Sequence, residues 1–350
     1  MRAWRCRVVV GALTMVGSLA WAAPPETPRR VIIDTDPGTD DAMAILLALN
    51  SPELKVEALT VVAGNVTAAQ GLDNALKLVS LAGRPDIPVA AGAGKPLLQK
   101  LVTAETHAPD GLAGIGIPKA RSAPDPRFAP DLIIELVHRY PHEITLVPLG
   151  PLTNVALALS KDPSIAGLVK EVVLMGGAIS GGNVDAVAEY NIYVDPEAAQ
   201  VVFQGGFPLT MVGLEIGRKA LFRREHLALL QKTHGTQNDF AARVLEHLVN
   251  LCETKYAMKG APLYDPTAMA AVIDRSLIAA ELMHVNVELR GEFTRAETVA
   301  NRQNALNRKV PRGDRLVFEG TEPLAPNTHV AMDIDAARFI DLLITRLAGK

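Results

Sequence analysis

Four carboxylates, Asp34, Asp36, Asp40 and Asp41, fall within eight consecutive residues of VIIDTDPGTDDAMAILLALN, the stretch Val31–Asn50. Val31 to Ile33 reads as a short buried strand, Pro37-Gly38 as a turn, and Ala42 to Leu49 as a largely buried helix. One or two acidic residues ahead of a helix simply serve its N-terminus and its dipole. Four repel one another unless protons, a cation or hydrogen-bond donors compensate. The stretch therefore points to a strand–turn–helix unit with a hard-cation site at the C-terminal end of a parallel strand, where α/β folds place ligands.

Strand, glycine-containing turn and helix alternate through most of the remaining chain. Leu54–Val62, Pro88–Ala91, Ile144–Leu149, Glu171–Met175 and Pro208–Val212 read as strands; Ala68–Ala82, Asp131–Arg139, Leu152–Ser160 and Pro196–Phe203 read as helices. Phe222–Tyr256 looks mostly helical, and Asp265 is expected to cap a helix that runs from Pro266 to Val272. Met283–Leu289 and Thr328–Met332 are further strands, and Ala336–Ala348 a closing helix. This pattern predicts an α/β fold with a mainly parallel central β-sheet flanked by helices, in one domain over residues 23–350. Gln99–Pro130 has few periodic positions, a length that is unusual in a compact domain unless the loop is functional. It carries His107. Asn301–Pro326, rich in Arg, Asn and Pro, reads as a surface excursion.

The N-terminus reads differently. Arg2, Arg5 and Arg7 precede the uncharged run Val8 to Ala23, and Ala20-Trp21-Ala22 has the small-x-small form of a cleavage site. Residues 1–22 are expected to be a secretory signal, leaving a mature chain that begins at Ala23 and is periplasmic or secreted. The run is short for a membrane span of about 20 residues. Cys6 lies in the signal, so the mature chain keeps only Cys252 and has no internal disulfide. Cys252 sits in the helical pattern VLEHLVNLCETKY and reads as a packed core thiol. The net charge of −3 argues against nucleic acid as a partner.

If the strands are parallel, the segments ending at Asp36, Asn65, Leu149 and Gly176 deliver their loops to one edge. The inventory there is carboxylates, amides, backbone carbonyls and very few cations. Without a Lys/Arg cluster or a GxxxxGK loop, a phosphorylated substrate is disfavoured, and a neutral, hydroxyl-rich ligand fits better.

DTDPGTDDA resembles the N-terminal signature of the inosine–uridine-preferring nucleoside hydrolase family. Asp34-Thr35-Asp36 also resembles the DxD of haloacid dehalogenase-like phosphatases, but DPGTDD and VAEYNIYVDPEAA have no role there. The nucleoside hydrolase resemblance continues in VVAGNVT, LVPLGPLTNVA, EVVLMGGA, GNVDAVAEYNIYVDPEAA and YDPTAM, and so covers nearly the whole mature chain.

That resemblance implies a Rossmann-like hydrolase fold, a nucleoside substrate, Ca²⁺ as cofactor and a homo-oligomer, dimer or tetramer. By it, Asp36, Asp41, Asp265 and the Leu149 carbonyl would hold Ca²⁺, which takes about 6–8 oxygens. Asp36 would take the proton of the attacking water. Asp40, Asn183, Glu189 and Asn191 would hold ribose hydroxyls, Met175 would line the sugar, Asn65 would lie beside the anomeric carbon, and Asp34 would stand behind the site. His107 matches a family histidine that faces the base. The family has a histidine before the metal-binding aspartate of the C-terminal motif, the proposed acid for the departing base; this chain has Tyr264. An N-glycosidic bond breaks with positive charge developing on the ribose, which a carboxylate-rich site stabilises. Two other readings compete: an exported nucleoside- or pentose-binding protein without turnover, and a degenerate hydrolase. Asp195 before Pro196 reads as a helix cap, and Glu215 has no evident constellation.

Overall fold

The computed structural model describes residues 27–301 and 324–349. The signal-like segment, and almost all of the Arg/Asn/Pro-rich stretch, lie outside the described residues. Twelve strands are present among the described residues: β1 Arg29–Thr35, β2 Leu54–Val61, β3 Val89–Ala91, β4 Thr145–Pro148, β5 Glu171–Met175, β6 Leu209–Val212, β7 Leu221–Phe222, β8 Ala261–Pro262, β9 Ile278–Met283, β10 Val285–Val287, β11 Thr298–Ala300 and β12 Thr328–Ile334. The helices are α1 Thr39–Leu49, α2 Ala68–Leu81, α3 Ala129–Arg139, α4 Thr153–Lys161, α5 Ile165–Leu168, α6 Tyr190–Val194, α7 Pro196–Phe203, α8 Leu214–Lys219, α9 Arg224–Leu230, α10 Thr236–Lys255, α11 Tyr264–Ile273 and α12 Ala336–Leu347.

Eight strands form one sheet in the order β3-β2-β1-β4-β5-β6-β12-β9. Every pairing is parallel except the last, where β9 runs antiparallel to β12. Helices cover both faces, as short strands rich in buried Val, Ile and Leu require. The pleat sends Val31 and Ile33 into the core that also holds α1 and α11, and Ile32 into the opposite core with α3, α4 and α7. α1 is buried almost all round, from Ala42 to Ala48, because it is packed between the sheet, α11 and α12.

Three expectations about elements are corrected. α11 begins at Tyr264, with the Leu263 carbonyl accepting from the Thr267 N–H at 3.2 Å, so Asp265 lies inside the first turn instead of capping it. Met283–Leu289 is not one strand: β9 ends at Met283, and after His284, whose Nδ1 donates to the Ala325 carbonyl at 2.6 Å, β10 leaves the sheet to form an antiparallel pair with β11. Phe222 belongs to β7, which pairs with β8, and the helical stretch after it is broken between α9 and α10.

Candidate active site

β1 ends at Thr35 between β2 and β4, so the loops after β2 and β4 flank the turn that leads into α1. Asp36 opens that turn. Its Oδ2 accepts the Asn65 backbone N–H at 2.6 Å, while its Oδ1 is buried with no partner. A Cβ built on Gly64 would stand 2.1 Å from Oδ2, and one on Gly150 would stand 2.4 Å from Oδ1. Asp36 is therefore gripped by two side-chain-free backbones. Burial, and then the neighbouring Asp41, push its carboxyl well above the usual range.

Asp41 folds back over the turn. It accepts from Thr35 Oγ1 at 2.5 Å, the Gly38 N–H at 3.0 Å and Asn65 Nδ2 at 2.9 Å. Carboxylate oxygens of Asp40, Asp41 and Asp265 come within 4.8 Å of one another, although Asp265 is delivered by α11, far along the chain. Asp36 lies outside that trio, and Asn65 links it to Asp41 by donating to both. Burial first, and then its aspartate neighbours, push Asp265 well up, and the same causes push Asp40 to about 7. The donors are all hard oxygens, and the Asp36 Oδ1 is an unpartnered buried acceptor. This set fits a hard divalent cation such as Ca²⁺.

Asp34 lies behind this cluster. Its Oδ1 accepts from Thr60 Oγ1 at 2.6 Å and Asn154 Nδ2 at 2.8 Å, and burial pushes its carboxyl up to about 7.

On the opposite wall, Glu189 caps the short helix α6. It accepts the N–H groups of Asn191 at 2.9 Å, Ile192 at 3.1 Å and Gly177 at 2.9 Å. Asn191 Nδ2 donates to the Leu149 carbonyl at 2.7 Å and lies 3.2 Å from both the carbonyl oxygen and the sulfur of Met175. Asn183 Oδ1 accepts the Tyr190 N–H at 2.9 Å. These residues thus make ordinary loop and cap bonds, and they still line the cavity. That cavity, about 460 Å³, is lined by Asp40, Asn65, Met175, Glu189, Asn191 and Asp265 among others.

The same cavity is lined by His107, Arg218, Cys252 and Tyr264, with His107 Nδ1 4.0 Å from an Asp40 carboxylate oxygen. His107 Nδ1 accepts the Thr39 N–H at 3.1 Å and lies 2.7 Å from Thr39 Oγ1. Burial lowers this imidazole to about 4, so it is neutral. Tyr264 packs against Gly217, where a Cβ would come within 2.4 Å of its ring. Burial pushes its phenol up to about 12, against the pull of the Arg218 charge. Cys252 is a buried thiol raised to about 11, and it also forms part of the cavity wall. Asp195 caps α7 by accepting the Ala198 N–H at 3.1 Å, as its position before Pro196 suggests.

Sequence reasoning missed four supporting residues. Asn74 Nδ2 donates to Pro37 O at 3.1 Å and Asp110 O at 2.8 Å, tying the long loop to the acidic turn. Asn154 holds Asp34. Both carry a readable signal, a polar amide on the buried stripe of a helix. Glu215 accepts the N–H groups of Ile179 at 2.7 Å and Ser180 at 2.8 Å, and Arg218 donates to the Gly181 and Gly182 carbonyls. Neither has a sequence signal.

The sequence model of a family described as inosine-uridine preferring nucleoside hydrolase matches residues 31–341. A pyrimidine-specific ribonucleoside hydrolase RihA from Photobacterium profundum is 38% identical over 323 residues, 92% of this chain and 99% of that one. A protein of the same name from Citrobacter koseri is 39% identical over 320 residues, 91% of this chain and 97% of that one. Among solved structures, a plant nucleoside hydrolase, the PpNRh1 enzyme, superposes with a TM-score of 0.84 at 36% identity, covering 92% of this chain and 99% of its own. The purine-preferring ribonucleoside hydrolase from Gardnerella vaginalis gives 0.82 at 31% identity, covering 92% and 98%. Sheet order, the buried carboxylates at its edge and these likenesses agree: the chain belongs to the inosine-uridine preferring nucleoside hydrolase family of enzymes.

Proposed function

We propose that this protein hydrolyses the N-glycosidic bond of ribonucleosides in a Ca²⁺-dependent reaction, releasing ribose and a free nucleobase. The observation that carries this reading is the convergence of Asp40, Asp41 and Asp265 beside Asp36, whose Oδ1 is buried and unpartnered. So many buried carboxylates are tolerated only with protons or a cation among them. Asp41 and Asp265, with Asp36, Asp40 and the Leu149 carbonyl around them, would hold the ion. When bound, Ca²⁺ keeps these carboxylates ionised and orients water and sugar hydroxyls.

The chain's own groups do the rest. Asp36 takes the proton of the attacking water through its free oxygen, and Asn65 holds the other oxygen in place. Asp40, Asn183, Glu189 and Asn191 grip ribose hydroxyls, and Met175 excludes water from the sugar face. The carboxylate-rich wall stabilises the positive charge that develops on the ribose. The curated relatives carry a pyrimidine-specific name and one solved relative a purine-preferring one, so both base classes belong in the assay.

Purified protein with Ca²⁺ should release ribose from at least one of uridine, cytidine, inosine and adenosine. Exhaustive chelation should abolish release and lower the melting temperature, and added Ca²⁺ should restore both. Asp36→Asn should stay folded and inactive. Chelation that changes neither activity nor melting temperature would remove the cation from this reading, and near-normal turnover in Asp36→Asn would remove Asp36 as the base.

The Arg-rich start and Ala20-Trp21-Ala22 support export to the periplasm or beyond. Mass spectrometry of protein from its native host should find Ala23 at the N-terminus. A dimer or tetramer follows the family habit, and sedimentation velocity tests it.

A further inference from the structure

The cavity wall carries Asp40, Asp265 and Glu189, and Arg218 is the one Lys or Arg among the described residues lining it. Arg218 lies, solvent-exposed, at the end of α8, and its side chain meets that of Tyr264. Two backbone carbonyls hold it there. Nη1 donates to the Gly181 carbonyl at 3.1 Å and Nη2 to the Gly182 carbonyl at 2.7 Å. One turn earlier on the same helix, Glu215 Oε1 holds the N–H groups of Ile179 and Ser180. A guanidinium carries more N–H groups than these two bonds and its contact with the Tyr264 hydroxyl use, so donors remain for the cavity.

Cleavage of an N-glycosidic bond separates charge. The C1′–N electron pair moves onto the base nitrogen and spreads into the ring carbonyls as the sugar becomes cationic. A wall that carries both carboxylates and a guanidinium can stabilise both charges. We propose that Arg218 is a catalytic residue for the leaving group, donating hydrogen bonds to the departing nucleobase as it becomes anionic, with Tyr264 against the base beside it.

This rests on the nucleoside reading above. No proton leaves Arg218. The C1′–N bond breaks, water adds its oxygen to C1′, Asp36 takes the proton of that water, and the base is protonated from solvent after departure. Arg218 thereby stands in for the acid that the tyrosine at position 264 does not supply.

The test compares two leaving groups. The first substrate is whichever of uridine and inosine the wild type turns over faster. The second is 4-nitrophenyl β-D-ribofuranoside, whose nitrophenolate departs as a stable anion without help. Arg218→Gln should lower kcat on the nucleoside by about 100-fold and on the nitrophenyl riboside by less than about threefold, the size of effect expected for losing one charge-stabilising donor. Arg218→Lys should recover part of the nucleoside rate. Glu215→Gln, which loosens the same loop without removing the cation, should slow both substrates by a similar factor.

Equal losses on both substrates in Arg218→Gln, or no loss on either, would overturn the assignment. So would a selective nucleoside loss in Glu215→Gln matching that of Arg218→Gln. A wild-type protein that releases no ribose from any nucleoside in Ca²⁺ overturns the enzymatic reading instead, which keeps the two failures apart.

Discussion

The Asn191 side-chain amide donates to the Leu149 carbonyl at 2.7 Å, so a residue assigned to the sugar already holds a carbonyl assigned to the cation. The bond links the loop after β4 to α6, and both residues line the cavity. Asn191→Ala should therefore weaken both functions. The expected result is a loss of about tenfold to 100-fold in kcat/KM, the cost of a buried hydrogen-bonding group removed, together with a rightward shift of the Ca²⁺ activation curve. A kinetic defect with an unchanged Ca²⁺ curve would show that the two functions are independent.

Glu189 gives a pH prediction. Three backbone N–H groups favour its ionised form, yet burial outweighs them and raises the carboxyl from 4.5 to about 7. A carboxyl raised by folding binds its proton more tightly in the folded state. Its stabilising contribution is complete below about 4.5 and is lost as pH rises through about 7. Asp34, raised to about 7 by burial, acts in the same direction. Chelated protein should melt at a lower temperature at about pH 8 than at about pH 5. A melting temperature that is flat or rising over that window contradicts the assignment.

Gly150 and Gly64 test the grip on Asp36. Neither has a positive φ, so an added methyl acts through space alone. Gly150→Ala places a carbon 2.4 Å from Asp36 Oδ1, and the carboxylate must move. Overpacking of this kind costs about 1–3 kcal/mol, measurable by urea denaturation. A misplacement of about 1 Å at the reacting group lowers turnover by about 100-fold. Full activity in Gly150→Ala would mean that the position of Asp36 is not critical.

Where the family resemblance leads one to expect a histidine, this chain has Tyr264, a group of quite different acidity. An imidazole near 6.5 gives up a proton at neutral pH, whereas this buried phenol is raised to about 12 and keeps it. Tyr264→Phe should change the relative rates among nucleosides more than it changes the melting temperature. Tyr264→His should favour bases whose departure needs protonation. If both variants keep the parent's substrate profile, the ring serves only to pack against Gly217.

The alternation of strand, turn and helix was legible because hydrophobic period and turn chemistry are local properties. Val31 and Ile33 against Ile32 already reveal a strand buried on both faces, and Asp195-Pro196 already reveals a cap. Crowding of Asp34, Asp36, Asp40 and Asp41 announced a charged site from four residues close in sequence. Their spacing alone did not reveal which of them would meet; only the family resemblance grouped Asp36 and Asp41 with Asp265 and set Asp34 behind them. Tertiary structure turns Asp34 back onto Thr60 and Asn154, pins Asp36 to Asn65, and brings Asp40 and Asp41 to Asp265 at the start of α11. It also carries Glu215 and Arg218 to a glycine-rich loop that no periodicity connects to α8. Those meetings depend on the order β1-β4-β5-β6 and on the packing of α1 against α11. A hydrogen bond between residues distant in sequence leaves no pattern along the chain, so folding alone decides it.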